Sequence, residues 1–576
     1  MKRRMLWLLA LMLCAAARAQ SPDDAPLGTY LPLDPDYYHL LDRYDVRMRR
    51  APGGEEATWF HTSMRPFLRW GVGRAADHLA ADSTYPDALS RADRFNVDFL
   101  RADNHYWSTV DATSRRPLLG VLYRQRPDFY HYAGKHFAVH LNPVIEARVG
   151  RDADQSATLY TNTRGAELHG LIDGKIGFYS YLTENQAVFP AHVGAFEERT
   201  RALPAEAFWK RLEPTGYDWI TARGYVTFPF SRHVSAQLGH DRFFVGDGRR
   251  SMILSDFGPN YFFLKLDTRV WRLHYTNLFA EMKADIISNS LGAPAGSQNY
   301  PRKYFAFHHL SLNITPSFNL GLFESVVLGG PDSSANARLE WQYFNPVIFY
   351  RAVDQQLGSP DNVIIGLDAR WTLFRRVKLY GQFVIDEFLF SRVFDGSGWW
   401  GNKQAGQAGA LWVDVLGVPN LDLRGEFNIA RPYTYGHIDR YTAYAHYNQP
   451  LAHPLGANFR EGLFELRFQP LPRLTLQAQL IRATYGVDTA GSHWGGDVLI
   501  GYDTREQELG NEIGQGVRSR LVRADLLAGY QLRHRLFLEA RLTRREVTRA
   551  VSALDRSTTI VSGALRWNVA ARRHEF

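Results

Sequence analysis

From about Phe137 to the end, apolar and polar residues alternate with a period of two, run after run, and this constrains the fold more than anything else in the chain. Leu421, Leu423, Phe427 and Ile429 fall on one face, and Asp422, Arg424, Glu426 and Asn428 on the other. Leu474, Leu476, Ala478 and Leu480 alternate with Thr475, Gln477 and Gln479, and Val377, Leu379, Phe383 and Ile385 with Lys378, Gln382 and Asp386. Trp271, Leu273 and Tyr275 alternate with Arg272, His274 and Thr276, and Phe464, Leu466 and Phe468 with Glu465 and Arg467. A half-buried sheet in a soluble sandwich gives the same alternation. Runs of roughly ten residues, the length that crosses a bilayer when tilted, favour a transmembrane antiparallel barrel instead. So does a polar face dense in both charge signs.

Connections alternate between short and long, the habit of outer-membrane barrels. Short turns are expected at Asp173-Gly174, Pro229–Arg232, Asp267–Arg269, Pro316–Phe318, Phe374–Arg376, Gly417–Asn420, Pro470–Arg473 and Leu532–Arg535. With two strands between successive short turns and both ends periplasmic, they imply about eighteen strands. The last strand, about Thr559–Val569, places Val561, Leu565, Trp567 and Val569 on one face, and the chain ends in Phe576 after a basic stretch. A C-terminal aromatic is common in barrels inserted by the outer-membrane assembly machinery, so that machinery and outer-membrane lipid are expected partners.

The first residues read as an address. Lys2, Arg3 and Arg4 precede an apolar stretch, Met5 to Ala17, and Ala17-Arg18-Ala19 is a small-x-small cleavage site. Residues 1–19 are expected to be a signal peptide, 20–130 a periplasmic helical segment and 131–576 the barrel. Cys14, the only cysteine, leaves with the signal, so disulfides and Cys-ligated metals are excluded from the mature chain. Lys2, Arg3, Arg4 and Arg18 leave as well, and the net charge of +8, less these four, becomes +4. The charges are interspersed, unlike the one-sided basic face of a nucleic-acid binder. The aromatic content, 35 Phe, 29 Tyr and 14 Trp, suits a sheet with aromatic girdles.

Between Asp36 and about Asp128 the spacing is helical: Tyr38, Leu40, Leu41 and Tyr44 with Asp36 as N-cap, then a segment from Thr62 to Ala81, then one near Ala88–Leu100 with Ser90 as cap. A small periplasmic bundle and a plug over one mouth of the barrel are both compatible with it.

No residues present a catalytic constellation. Asp386-Glu387 are neighbours on a strand and point to opposite faces, and no Gly-x-Ser-x-Gly elbow occurs. His437, His446 and His453 lack the spacing of a helical zinc site, so no metal and no cofactor is expected. Gly246-Asp247-Gly248-Arg249-Arg250 lacks phosphate-loop spacing. It reads as a tight bend folded into the lumen, with Arg249 or Arg250 paired to wall carboxylates such as Glu324 or Glu426, and direct ligand binding by the bend is the alternative. Asp247 and Arg351 belong to the same expected lumen network. Trp399-Trp400 and the stretch Tyr433–Tyr447, with Arg431, Tyr435, His437 and Arg440, combine rings that stack on sugars with groups that bond hydroxyls. An interfacial girdle with ordinary loop packing accounts for them equally well.

The run Gly239-His240-Asp241-Arg242-Phe243-Phe244-Val245-Gly246-Asp247-Gly248-Arg249-Arg250-Ser251-Met252-Ile253-Leu254-Ser255-Asp256 resembles the signature stretch of Wzi-type capsule assembly proteins, especially their Bacteroidota branch, which includes proteins associated with gliding motility. Phe344-Asn345-Pro346-Val347-Ile348-Phe349-Tyr350-Arg351, Tyr380-Gly381-Gln382, Asp386-Glu387-Phe388, Trp400-Gly401-Asn402-Lys403, Arg431-Pro432-Tyr433-Thr434-Tyr435 and Leu451-Ala452-His453-Pro454-Leu455-Gly456-Ala457-Asn458-Phe459 agree with it. The resemblance implies a Gram-negative outer-membrane barrel of about eighteen strands with a helical plug. It also implies a lectin-like, non-enzymatic role in holding capsular or other surface polysaccharide. The alternatives are a transport or secretion channel and a gliding-motility surface protein.

Overall fold

The computed structural model describes residues 28–48, 62–81, 89–115, 117–284, 301–329, 341–345, 350, 361–387, 389–489, 491–572 and 574–576. Residues 1–19, expected to be a signal peptide, and Arg351 lie outside them.

Eighteen antiparallel strands close into one barrel. In chain order they are β1 (Phe137–Asp152), β2 (Leu159–Ile172), β3 (Ile176–Val188), β4 (Gly216–Pro229), β5 (Val234–Asp241), β6 (Tyr261–Val270), β7 (Leu273–Lys283), β8 (Arg302–Thr315) and β9 (Phe318–Leu328), followed by β10 (Asn362–Leu373), β11 (Val377–Glu387), β12 (Lys403–Trp412), β13 (Leu421–Ala430), β14 (Phe459–Leu471), β15 (Leu474–Val487), β16 (Val517–Arg533), β17 (Leu536–Arg549) and β18 (Arg556–Trp567). Every strand pairs with its neighbours in sequence, and β18 closes on β1 with Ile560 opposite Asp152 and Trp567 opposite Ile145. Below that point β1 is paired instead by the short strand Tyr130–Ala133, so two segments share one position in the wall.

The period-two pattern decides which face each residue takes. Phe427, Leu480, Leu526, Leu542 and Val561 face outward and are exposed, an apolar band of the kind lipid covers. Asp422, Arg424, Glu426, Asn428, Gln479 and Asp525 face inward and are buried. Charged side chains survive there because they pair: Arg523 with Asp525 at 2.9 Å, Arg566 with Glu539 at 2.7 Å.

In the wall, two details differ from the sequence reading. The third short turn is not Asp267–Arg269 but Trp271-Arg272, between Val270 and Leu273, where Trp271 takes φ +54°. Asp267 is an inward strand residue held by Lys265 and His274 at 2.9 and 3.1 Å. Nor does the final strand reach Val569: Asn568 takes φ +55° and the chain turns inward, burying Val569. The last residues lie within the barrel, where Glu575 meets Arg250 at 2.5 Å and Phe576 lies beside His453 with Arg250 over its ring. Phe576 is therefore not the closing aromatic of a wall strand.

Among the described residues three helices precede the barrel: α1 (Pro35–Arg47), α2 (Arg69–Ala81) and α3 (Arg91–Asp103). Asp34, not Asp36, caps α1, because Pro35 occupies the first helical position and leaves Asp34 to accept from Asp36 N–H at 3.0 Å. The second helix begins at Arg69 rather than Thr62. Pro66 biases the residue before it away from helix, and Met64–Arg65 pairs as a short strand with Phe244–Val245. Ser90 caps α3 in a reciprocal capping box with Asp93. Tyr38, Leu41, Tyr44, Val72, Leu79 and Leu100 form the helices' shared core.

The helices are bonded to the wall at its short-turn end. Arg43 of α1 bonds Asp422 at 2.5 Å and Asp414 at 2.7 Å while also holding Asp93 of α3 at 3.0 Å. Asp42 meets Arg424 at 2.8 Å and Lys378 at 3.2 Å. Asp36 meets Arg467 and Arg566 at 2.8 and 2.6 Å.

Candidate functional site: three loops above a filled lumen

The connection β5–β6, residues 242–260, turns into the barrel. Phe243, Val245, Met252, Ile253 and Leu254 are buried in one cluster with Tyr435, Tyr444 and Leu451 from the β13–β14 loop. Its tip is held by Glu426, whose carboxylate accepts the backbone N–H of Arg249 and Arg250 at 2.7 and 3.1 Å. A Cβ at Gly248 would stand 2.5 Å from Glu426 Oε2 and crowd the carboxylate that holds the tip. The expected ion pairs need correction. Arg250 pairs with Glu461 at 3.0 Å and Arg249 with Glu465 at 3.3 Å, not with Glu324 or Glu426. Glu426 is occupied by backbone, and Glu324 accepts the N–H of Tyr350 at 2.6 Å. Asp247 meets Lys378 at 3.2 Å and Arg370 at 3.5 Å. Loop, helices and C-terminal tail thus cross the lumen, leaving a cavity of about 140 Å³ lined by Tyr181, Trp219, Arg223, Arg250, Arg572 and Phe576.

At the long-loop end the connections β11–β12, β13–β14 and β15–β16 are stitched together by backbone. Trp400 N–H donates to Glu508 O, Tyr433 N–H to Gly495 O and Tyr502 N–H to His437 O, at 3.0 to 3.2 Å. Side chains follow. The Trp400 ring has Arg505 over its face at 4.4 Å and Tyr502 at 4.8 Å, and Trp399 at 5.8 Å. Lys403 lies 4.7 Å from the Tyr502 ring. His437 stands edge-on to Tyr502 at 5.6 Å. Arg431 Nε donates to Asn402 O at 2.7 Å and braces the junction. Trp399, Trp400, His437, Arg440, Tyr502 and Arg505 are all half-buried, so each keeps a face toward solvent.

Two of the expected contact residues do not reach that surface. Tyr433 and Tyr435 are buried, with hydroxyls donated to His493 O at 3.0 Å and Met252 O at 2.6 Å. They are packing residues, because the β13–β14 loop turns into the barrel mouth rather than away from it. Conversely, Tyr502 and Arg505 join the patch although they lie about a hundred residues from Trp400. The Asp386-Glu387 expectation also changes. A bulge between Ile385 and Glu387 breaks the strict alternation, and Lys403 meets both carboxylates, at 3.4 and 3.1 Å. One buried ammonium thus holds both carboxylates.

Two loop histidines are held neutral. Burial, with Lys403 adding repulsion, lowers His437 to about 4. Burial, with Lys303 among the opposing charges, lowers His446 to about 3. Unfolded, both bind protons near pH 6.5, so the unfolded state gains protons first as pH falls. The stability they contribute is complete above pH 6.5 and is lost as pH drops through about 4 to 3. Near-ultraviolet circular dichroism of the detergent-solubilised protein is expected to lose loop signal across that window while the far-ultraviolet β signal persists. An unchanged near-ultraviolet spectrum down to pH 3 would contradict it.

The structure of Wzi from Escherichia coli, described as an outer membrane protein involved in group 1 capsule assembly and a carbohydrate-binding β-barrel, matches with a TM-score of 0.55 at 12% identity, over 95% of this chain and 100% of that one. The Pseudomonas aeruginosa outer membrane protein OprD matches at a TM-score of 0.41 and 12% identity, over 76% of this chain and 96% of that one, a likeness too distant to carry an argument. Curated protein sequences give no match. The sequence model of capsule assembly protein Wzi matches residues 132–547, most of the chain and nearly all of the barrel. The chain belongs to the Wzi capsule assembly family.

Proposed function

We propose that this protein is a non-catalytic outer-membrane barrel that holds capsular or other surface polysaccharide at the cell exterior. Residues 1–19 direct secretion and are removed, the apolar band faces outer-membrane lipid, both ends of the mature chain lie on the periplasmic side, and the long loops face outward. The observation that carries the reading is the three-loop surface of Trp399, Trp400, Tyr502, His437, Arg431 and Arg505 above a lumen filled by the protein's own segments. Aromatic faces stack on the apolar faces of sugar rings, and guanidinium and imidazole groups bond hydroxyls or acidic substituents. A transport or secretion channel needs a continuous water-filled lumen, and the helices, the β5–β6 loop and the tail stand in its way.

Deleting the gene and measuring cell-bound and released polysaccharide tests this. Polymer is expected to shift from cells to medium while total production holds. If both fractions stay unchanged the anchoring role fails, and conductance in planar bilayers becomes the next measurement.

A further inference from the structure

Four histidines and an aspartate that are scattered in sequence meet at the short-turn end of the barrel. His140 is the fourth residue of β1 and sits opposite His169 of β2 and opposite His131 of the short strand Tyr130–Ala133. His105 follows α3, and Asp128 lies in the segment between. Their rings are in contact: His140 is 4.5 Å from His169, 4.7 Å from His131 and 5.2 Å from His105, and His105 is 5.0 Å from His131. One nitrogen from each of His105, His131 and His140 lies within 4.8 Å of the other two.

Hydrogen bonding leaves this cluster unsatisfied. Asp128 Oδ2 serves both His140 Nδ1, at 2.8 Å, and His105 Nε2, at 3.0 Å. His131 Nε2 and His169 Nδ1 are buried atoms with no hydrogen-bond partner, and His169 is 4% exposed. One carboxylate cannot neutralise four imidazolium ions, so most of the rings are neutral and each neutral ring carries a lone pair. A cation fitted to imidazole nitrogen is what such a group lacks.

We propose that His105, His131 and His140 bind one divalent transition-metal ion of the zinc type, with Asp128 orienting the rings and His169 packed behind His140. Zinc–nitrogen bonds of about 2.0–2.1 Å put tetrahedral donors roughly 3.4 Å apart, so nitrogens now within 4.8 Å of one another close by at most about 1.4 Å on loading. His105 and His131 are only half-buried and have room to turn. The carboxylate–imidazole contact of Asp128 is the arrangement that fixes ligand orientation in metal sites. The ion joins the chain after α3 to the barrel wall at the seam where β1 is paired by Tyr130–Ala133, and so fastens the N-terminal helices in place.

The test uses the full-length mature protein without a polyhistidine tag, in detergent, titrated with Zn²⁺ and with Mg²⁺ as control. One equivalent of Zn²⁺ is expected to bind and to raise the melting temperature, and Mg²⁺ to do neither. His131→Gln, on a short half-exposed strand, is expected to weaken Zn²⁺ binding at least tenfold and to abolish the rise, with heat-modified gel mobility unchanged. Asp128→Asn is expected to weaken binding about 10- to 100-fold. His105→Gln, off the wall, replaces His131→Gln if that variant does not fold. Absence of stoichiometric Zn²⁺ binding, or binding equally tight in the histidine variants, overturns the proposal.

Discussion

Replacing Arg43 with alanine is expected to cost about 3–5 kcal/mol and to release the N-terminal helices from a barrel that otherwise stays intact. Arg43 is 2% exposed and is the shared cation of three carboxylates: Asp93 on α3, Asp414 in the β12–β13 turn and Asp422 on β13. His39 adds a bond to Asp422 at 2.9 Å and Arg47 one to Asp93 at 2.8 Å, but neither touches all three acids. Removing the guanidinium leaves acids in a site with little water, and the inexpensive relief is for α1 to move away and let water in. Lysine does not restore the site, since one ammonium cannot reproduce a planar fork that bonds three acids at once. Limited proteolysis in detergent reads the outcome: the segment before residue 130 is expected to be cut in Arg43→Ala and spared in the parent, with the heat-modified barrel band unchanged. Equal protection in both would show that the apolar contacts of the bundle, not this ion cluster, hold it in the mouth.

The second large effect is expected at the loops. Trp400→Ala is expected to weaken binding of purified surface polysaccharide about 10- to 30-fold, the loss of one well-packed aromatic hot spot. The ring supplies contact area itself and also seats its neighbours, with Arg505 at 4.4 Å over its face and Tyr502 at 4.8 Å beside it. Trp400→Phe is expected to keep part of the affinity. Arg431→Ala, which removes the 2.7 Å brace to Asn402 O, is expected to give a smaller loss. Unchanged affinity in both Trp400→Ala and Arg505→Ala, with barrels that insert normally, would remove this surface from the binding model.

The wall of the barrel was legible because its physics is local. A strand with lipid on one side and a polar lumen on the other writes its orientation residue by residue, and Asp422, Arg424, Glu426 and Asn428 are inward as the alternation requires. The same polarity caused the misplaced turn: a lumen lined with Lys265, Asp267 and His274 makes a strand read like a loop. The site was legible only where its residues are close in sequence. Trp399, Trp400 and Arg431 could be singled out, whereas Tyr502 and Arg505 join them through loop packing that no local pattern encodes. Tyr433 and Tyr435 misled for a related reason, since a tyrosine that stacks on sugar and one that caps a carbonyl inside a barrel look alike in a string of letters. The histidine cluster is the extreme case, its four rings drawn from four separate segments with no ligand spacing between them.

The inward turn at Asn568 couples the tail after β18 to the N-terminal helices. Leu33 and Pro35, at the start of α1, line the same cavity as Phe576, and Arg566, two residues before the turn, is held by Asp36 of α1 at 2.6 Å. The tail after Asn568 and the start of α1 therefore face one another across that cavity. Residues joined to Phe576 would have to fit a cavity of about 140 Å³, so any handle for purification or imaging belongs on an outward loop instead.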